Sequence, residues 1–421
     1  MQNTFAPHVL LANQIIEQGK SVGILHNVIQ NHATDGKTVL LKNGKKVTYF
    51  GNCNYLSLEH DPRLKTAAIE AIERYGIQFS CSRTYASLPY YEELEVLLSQ
   101  IFGKPTIAAP TTTLAHMAVM PVLVQREDAI ILDQQCHASI QNAAAVAKSM
   151  GTYVEMIRHN RVDMLENRIQ KLKDKYKRIW FMTDGVYSMF GDAAPLSNLY
   201  ELQKKYEQLY LYVDDAHGMS WKGTHGSGFA LSQMPEFPDK MVLLTSLAKG
   251  FGACGAAIVL PNTEWRDIVL NVGPTLMFSG PLQPATLAAM IASAKIHLTP
   301  EITQKQEHLS KLMSYFMITA KAFKLPLVNE DKTPVFFIGV GTPDTGAEIS
   351  QRMMHSGYLL NPSSFPSVPY KNTGLRSTLT TYITQQDIYD MLSTFANHLE
   401  DMEKKNQVSK AEIYKAFAMT A

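Results

Sequence analysis

Short apolar runs that each stop at a polar cluster recur through the middle of this chain: Thr106 to Ala109, Ala129 to Leu132, Ile179 to Met182, Leu209 to Val213 and Met241 to Leu244. Unbroken runs of that length, bounded by turn residues, predict strands covered on both faces, as in a parallel sheet. Helical patterns alternate with them. Leu114 to Val124 is apolar and helix-like, and Asp163 to Tyr176 carries Leu165, Ile169 and Leu172 on one face. The alternation predicts a large α/β domain around a mostly parallel central sheet.

Flanking segments read differently. LLKNGKKVTYF from Leu40 reads as a hairpin turning at Asn43-Gly44. From Pro284 a smaller α+β domain is expected, with a helix Ala285 to His297, a strand Val335 to Val340, a helical segment Ala347 to His355 and the loop NPSSFPSVP leading to Arg376. The resulting division is an N-terminal arm over 1–48, a large domain over 49–283, a small C-terminal domain over 284–400 and a polar tail over 401–421, read as a solvated helix or frayed end. No internal repeat or low-complexity tract interrupts it.

The polar clusters at the strand ends carry the chemistry, because ligands of open parallel sheets bind there. Met241 to Leu244 runs into Thr245-Ser246-Leu247-Ala248-Lys249-Gly250-Phe251-Gly252, a glycine-flanked turn that presents one lysine. Taken alone, that lysine reads as one that snorkels to solvent. Leu209 to Val213 ends in Asp214, with His217 three positions on. The pair alone reads as a loop hydrogen bond or a metal ligand. Together the three residues describe a pyridoxal phosphate site: a buried carboxylate keeps a pyridine nitrogen protonated, an imidazole bonds the ring's phenolic oxygen, and the lysine amine takes the aldehyde. Asp133 to His137 and Thr183-Asp184-Gly185 lie at two further strand ends, and Thr111-Thr112-Thr113 opens a helix. The threonines serve equally as a phosphate cradle or as a helix cap. His116, in the apolar run behind them, reads as a hydrogen-bonded core histidine, and His225 as a surface loop residue.

With these residues in place the chain resembles the α-oxoamine synthases, fold-type I pyridoxal phosphate enzymes that condense an amino acid with an acyl thioester. The matching segments are NYLSLEHDPRL from Asn54, DQQCHAS from Asp133, DGVYSMFGDAAPL from Asp184, VDDAHG from Val213, GTHGSG from Gly223, TSLAKGFG from Thr245, MFSGPLQPA from Met277 and LRSTLT from Leu375. Each is weak singly; their joint order over about residues 50 to 385 is specific for the family. The resemblance implies that Lys249 holds the cofactor and acts as base, that Asp214 pairs with the pyridine nitrogen, and that His217 contacts the phenolic oxygen. It further implies that His137 stacks on the ring, that Ser246, Thr112 and Thr113 hold the phosphate, and that Arg376 grips the substrate carboxylate. Ser279 matches a segment that completes the neighbouring subunit's phosphate site in the family's homodimer. The implied reaction joins an amino acid to acyl-CoA or an acyl carrier protein, with loss of carbon dioxide, to give an α-aminoketone.

Departures from the family pattern concentrate outside the cofactor residues. Tyr75 to Arg83 reads YGIQFSCSR where the family is glycine-rich before its Ser-Arg pair. Tyr91 and Ile383 replace histidines, Gly374 replaces the first arginine of R-x-R, Arg161 stands where an aspartate is common, and His116 where asparagine is. Similar losses mark the enzymes that make α-hydroxyketone autoinducers, so the chain resembles that subgroup. Two other readings stay open: an aminotransferase of the same fold, for which the same residues would serve, and a non-catalytic partner subunit, which would not need Lys249.

Composition narrows the partners. The 421 residues suffice for a large core, and a net charge of +1 provides no field for nucleic acid. Cys53, Cys81, Cys136 and Cys254 lack C-x-x-C spacing, which argues against a zinc site or a disulfide framework and for a reducing, cytoplasmic setting. Met1 to Lys20 lacks the pattern of a signal peptide, and no apolar stretch reaches transmembrane length.

Overall fold

The computed structural model describes residues 5–32 and 35–419, so the first four residues of the expected arm and the last two of the expected tail lie outside it. The chain forms two compact units, one of Asn54–Tyr187 and Ala193–Glu307, the other of Met1–Cys53, Ser188–Asp192 and His308–Ala421. The units divide at His308, later than the Pro284 boundary read from patterning, and the N-terminal arm is part of the second unit.

The first unit is built on a seven-stranded sheet. Its strands are β1 (Thr106–Ala109), β2 (Ala129–Asp133), β3 (Tyr153–Ile157), β4 (Ile179–Asp184), β5 (Leu209–Asp214), β6 (Met241–Ser246) and β7 (Ala256–Val259). Across the sheet the order is β1-β7-β6-β5-β4-β2-β3. β7 runs antiparallel to both its neighbours, and the pairs from β6 to β3 are all parallel. Side chains alternate faces along a strand, so the apolar runs feed two layers. Ile131, Phe181, Leu211, Val213 and Leu243 enter one core, while Ile130, Trp180, Met182, Tyr212 and Val242 enter the other. That is why these strands show no polar alternation.

Helices cover the sheet as their periodicity predicts. The helix Val162–Leu172 buries Leu165, Ile169 and Leu172, and α1 (Thr112–Leu123) opens on the threonines, with Thr111 as its cap and Thr112 and Thr113 in its first turn. α2 (Ala138–Ser149) begins after His137, whose side chain accepts the Ser139 N–H. The helix Pro284–His297 packs on the helices Pro62–Tyr75 and Tyr90–Phe102 within this same unit.

The second unit contains a three-stranded antiparallel sheet with Thr373–Thr378 between Val335–Gly341 and Asn361–Ser363. The hairpin at Asn43-Gly44 forms, Gly44 taking the left-handed φ of 82° that its turn requires, and its second strand pairs in parallel with Tyr358–Leu359. The tail is not a free polar end. The helix Lys410–Ala416 buries Ile413, and the Phe417 ring lies 6.0 Å from Phe337. Gly339 makes room for that approach: a Cβ there would sit 2.6 Å from the Phe417 ring. All four cysteines are free, and no described helix is long and apolar enough to cross a membrane.

Candidate active site

β4 and β5 end in register on two carboxylates, Asp184 beside Asp214. Directly after β5 the chain turns back, and the Ala216 N–H donates to Asp214 Oδ1 at 2.9 Å. The other oxygen, Oδ2, lies 2.9 Å from His116 Nε2, and His116 Nδ1 lies 2.9 Å from the Tyr212 hydroxyl. His116 is fully buried, as a core histidine should be, and it is also the partner of Asp214. One signal pointed to it: His116 stands four residues after Thr112 on α1, so the two share a helix face.

Burial works against the charge of Asp214, yet the hydrogen bond from His116, the charge of that imidazole and nearby Lys249 outweigh it and hold the carboxyl below its ordinary range. Asp184 goes the other way, raised by burial and then by the charge of Asp214. Asp133, at the end of β2, accepts hydrogen bonds from Gln135, Asn160 and His159 and does not line the cavity.

The remaining residues arrive on tight turns. His217 Nδ1 is 2.7 Å from the hydroxyl of the buried Tyr55, which orients the ring, and the His217 backbone carbonyl accepts the Trp221 indole N–H, which anchors the turn. Tyr55 escaped the sequence reading because nothing local pairs it with a histidine 162 positions away. After β6 the lysine turn is closed by Gly252 N–H to the Lys249 carbonyl, with Gly252 at φ +79°. Any side chain there would run into Leu58. Three more motif glycines, Gly185, Gly218 and Gly228, make space for one buried carboxyl: a Cβ at any of them would lie within 1.9 to 2.3 Å of an Asp215 oxygen. Asp215 Oδ2 accepts the Ala230 N–H, which pins the Gly228 loop to the Asp214 turn.

Thr112, His137, Asp184, Val186, Asp214, Ala216, His217 and Lys249 line one cavity. Ser246, at the end of β6, is not among the lining residues, and its hydroxyl accepts the Ala248 N–H. Thr113 is exposed on the first turn of α1 and is not among the lining residues; neither is Ser279, whose hydroxyl bonds the Thr275 carbonyl. Arg376 belongs to the second unit, where its Nε donates to the Ser188 carbonyl at 2.6 Å. A second arginine at position 374 has no room, since a Cβ there would meet the Phe337 ring at 2.1 Å.

The donor set fits pyridoxal 5'-phosphate. An ionised buried carboxylate suits a pyridinium, an imidazole suits a phenolic oxygen, and an amine on a rigid turn suits an aldehyde. The open N–H groups of the first turn of α1, with the Thr112 and Ser246 hydroxyls, suit a phosphate. Burial, against the charge of Asp214, disfavours the imidazolium form of His137 at the cavity, which suits a ring that stacks on a planar ligand.

His297 holds the lysine turn from behind. His297 is fully buried and stacked on Phe251 with centroids 4.4 Å apart; its Nδ1 is 2.8 Å from the Ser293 carbonyl and its Nε2 is 2.9 Å from the Ser220 hydroxyl. Burial lowers its pKa from 6.5 to about 4. The depressed value stabilises the fold above pH 6.5, and that contribution is lost as pH falls toward 4, because only the unfolded chain then binds the proton. The expected loss is about 3 kcal/mol between those limits. Urea melts across this range, compared with His297→Gln, check it; equal slopes in the two proteins would refute the assignment.

Comparison with known proteins shows the family of the chain. A family profile described as aminotransferase class I and II matches residues 45–393. An 8-amino-7-oxononanoate synthase from Alkaliphilus oremlandii is 31% identical over 368 residues, covering 86% of this chain and 89% of that one. A serine palmitoyltransferase from Bacteriovorax stolpii is 28% identical over 367 residues, with 86% and 84% covered. Among solved structures, a serine palmitoyltransferase from S. paucimobilis with bound PLP superposes with a TM-score of 0.86 at 22% identity, covering 94% of this chain and 97% of that chain; at that identity the likeness carries the fold.

Proposed function

The chain belongs to the class I and II aminotransferase family and, within it, to the pyridoxal-phosphate-dependent α-oxoamine synthases, and from that premise we propose that it condenses an amino acid with an acyl thioester, with loss of carbon dioxide, to an α-aminoketone. One observation carries the reading: Lys249, Asp214, His217 and His137 meet in a single cavity, with Asp214 held ionised. The cofactor, when bound, supplies an electron sink for the pair left at the amino acid's α-carbon. Asp214 keeps negative charge at the pyridine nitrogen, with His116 and Tyr212 holding it in place. His217, oriented by Tyr55, donates to the phenolic oxygen. The Lys249 amine removes the α-proton, Thr112, Thr113 and Ser246 bind phosphate, and Arg376 takes the substrate carboxylate in a bidentate pair.

The expected result is thiol release when the protein is incubated with an amino acid and a panel of acyl thioesters, with an α-aminoketone in the product mass spectrum. Release of a keto acid without thiol would turn the reading to an aminotransferase. The same spectrum tests the narrower reading that the product is an α-hydroxyketone signal precursor. Tyr91 supports it: where the family has histidine, this ring lies buried beneath Arg83, and its hydroxyl accepts the Leu282 N–H.

A homodimer with shared sites is part of the proposal. Ile77, Tyr85 and Phe278 are 71%, 87% and 83% exposed, and the Ser82 hydroxyl bonds the Met277 carbonyl, which joins the loop of Ile77 and Tyr85 to the short helix Pro274–Phe278. Exposed apolar surface of this kind favours a covering partner, and Ser279 follows Phe278 directly. Four free cysteines suit a cytoplasmic enzyme.

A further inference from the structure

We propose that Asp184 is a neutral carboxylic acid whose O–H donates a hydrogen bond to the oxygen anion formed when the acyl thioester carbonyl is attacked, an inference that rests on the reaction proposed above. Asp184 and Asp214 occupy matched positions on adjacent parallel strands and line the same cavity. Both are buried, at 3% and 4% exposure. Two carboxyls so close, and so removed from water, do not both carry charge at low cost.

Their partners decide which one ionises. Asp214 takes the imidazole of His116 on one oxygen and the Ala216 N–H on the other. Asp184 accepts the His137 backbone N–H, on Oδ1 at 3.0 Å. Burial and then the charge of Asp214 disfavour its ionisation, with Asp133 adding to them, while the His137 N–H and then Lys249 favour it; the Cys136 thiol and the Tyr187 hydroxyl are the other titratable groups that feel its charge. The balance leaves Asp184 protonated. Since Oδ1 is the acceptor of the His137 N–H, the proton resides on Oδ2.

A neutral acid in that position is a donor where its ionised form could only repel. The proposed condensation places negative charge on a thioester oxygen, and a preorganised donor in a water-poor pocket stabilises such charge strongly. The hydrogen stays on Asp184, so no bond of the carboxyl breaks. The same contact to the His137 backbone ties this donor to the residue that begins α2.

The test uses the same substitution at two neighbouring carboxyls. In infrared difference spectra of the purified holoenzyme at neutral pH, wild type minus Asp184→Asn shows the carbonyl band of a protonated carboxyl, whereas wild type minus Asp214→Asn shows carboxylate bands. Thiol release by Asp184→Asn, which keeps an N–H donor, falls only a few-fold. Asp184→Val, which removes it, loses about 100-fold in kcat with little change in the amino-acid KM. Carboxylate bands for Asp184, or equal kcat losses in the Asn and Val variants, would overturn the assignment. If the wild-type protein itself releases no thiol, the reaction proposed above falls, while the infrared bands still decide the state of Asp184.

Discussion

Asp214→Asn folds like the wild type but exchanges the α-proton of its amino-acid substrate about two to three orders of magnitude more slowly, a loss of roughly 3–4 kcal/mol. The reason lies in the two donors that Asp214 serves. Its oxygens accept from Ala216 N–H and from His116 Nε2. A carboxamide has one oxygen, so either the backbone donor or the imidazole meets an NH2 group, and no charge remains to balance a pyridinium. Fold retention is expected because the shape is unchanged and the turn keeps its other bonds, including Asp215 N–H to the Leu244 carbonyl. Deuterium exchange at the substrate α-carbon, followed by NMR, is the direct measurement. A near-normal exchange rate in this variant would show that Asp214 does not govern the ring.

Lys249→Ala loses thiol release by about 10⁴-fold or more, since one residue is both the attachment point and the base in the proposed reaction. Borohydride, which fixes the cofactor onto Lys249 of the wild type, fixes none onto the variant. A reducible covalent adduct at another lysine would end the assignment. The variant also reports on assembly. Mixed with Ser279→Trp, it forms hybrids in which one of two sites carries neither change, and such hybrids regain up to about half of wild-type activity because a symmetric dimer shares its sites isologously. Verified subunit exchange with no recovery would refute the shared site and leave the lysine assignment standing.

What was legible along the chain is what short-range physics controls. Strand ends could be read because apolar runs stop where the sheet stops, and those ends named Asp133, Asp184, Asp214 and Ser246 before any packing was known. The lysine turn was legible for the same reason, its glycines marking backbone that a side chain would obstruct at Gly252. Helix faces such as Leu165, Ile169 and Leu172 followed from a period that survives in any context. The Asn43-Gly44 hairpin needed only its own turn chemistry.

Pairings between distant segments were beyond such reading. His116 meets Asp214 across 98 positions, and Tyr55 meets His217 across 162, so neither contact leaves a local pattern. The opposite charge states of Asp184 and Asp214 are likewise a tertiary outcome: both are aspartates ending apolar strands, and the imidazole delivered by α1 bonds Asp214 and not Asp184. The tail shows the same limit, since its charge-mixed sequence conceals the buried Ile413 and the Phe417 ring, whose approach depends on a gap left by the distant Gly339. By itself the sequence determined the strands, the turns and the reactive groups that end them, because backbone preference and apolar periodicity act within a few residues. The tertiary structure alone decided which histidine steadies which carboxylate and which carboxyl keeps its proton, because those depend on burial and on charges brought together from remote parts of the chain.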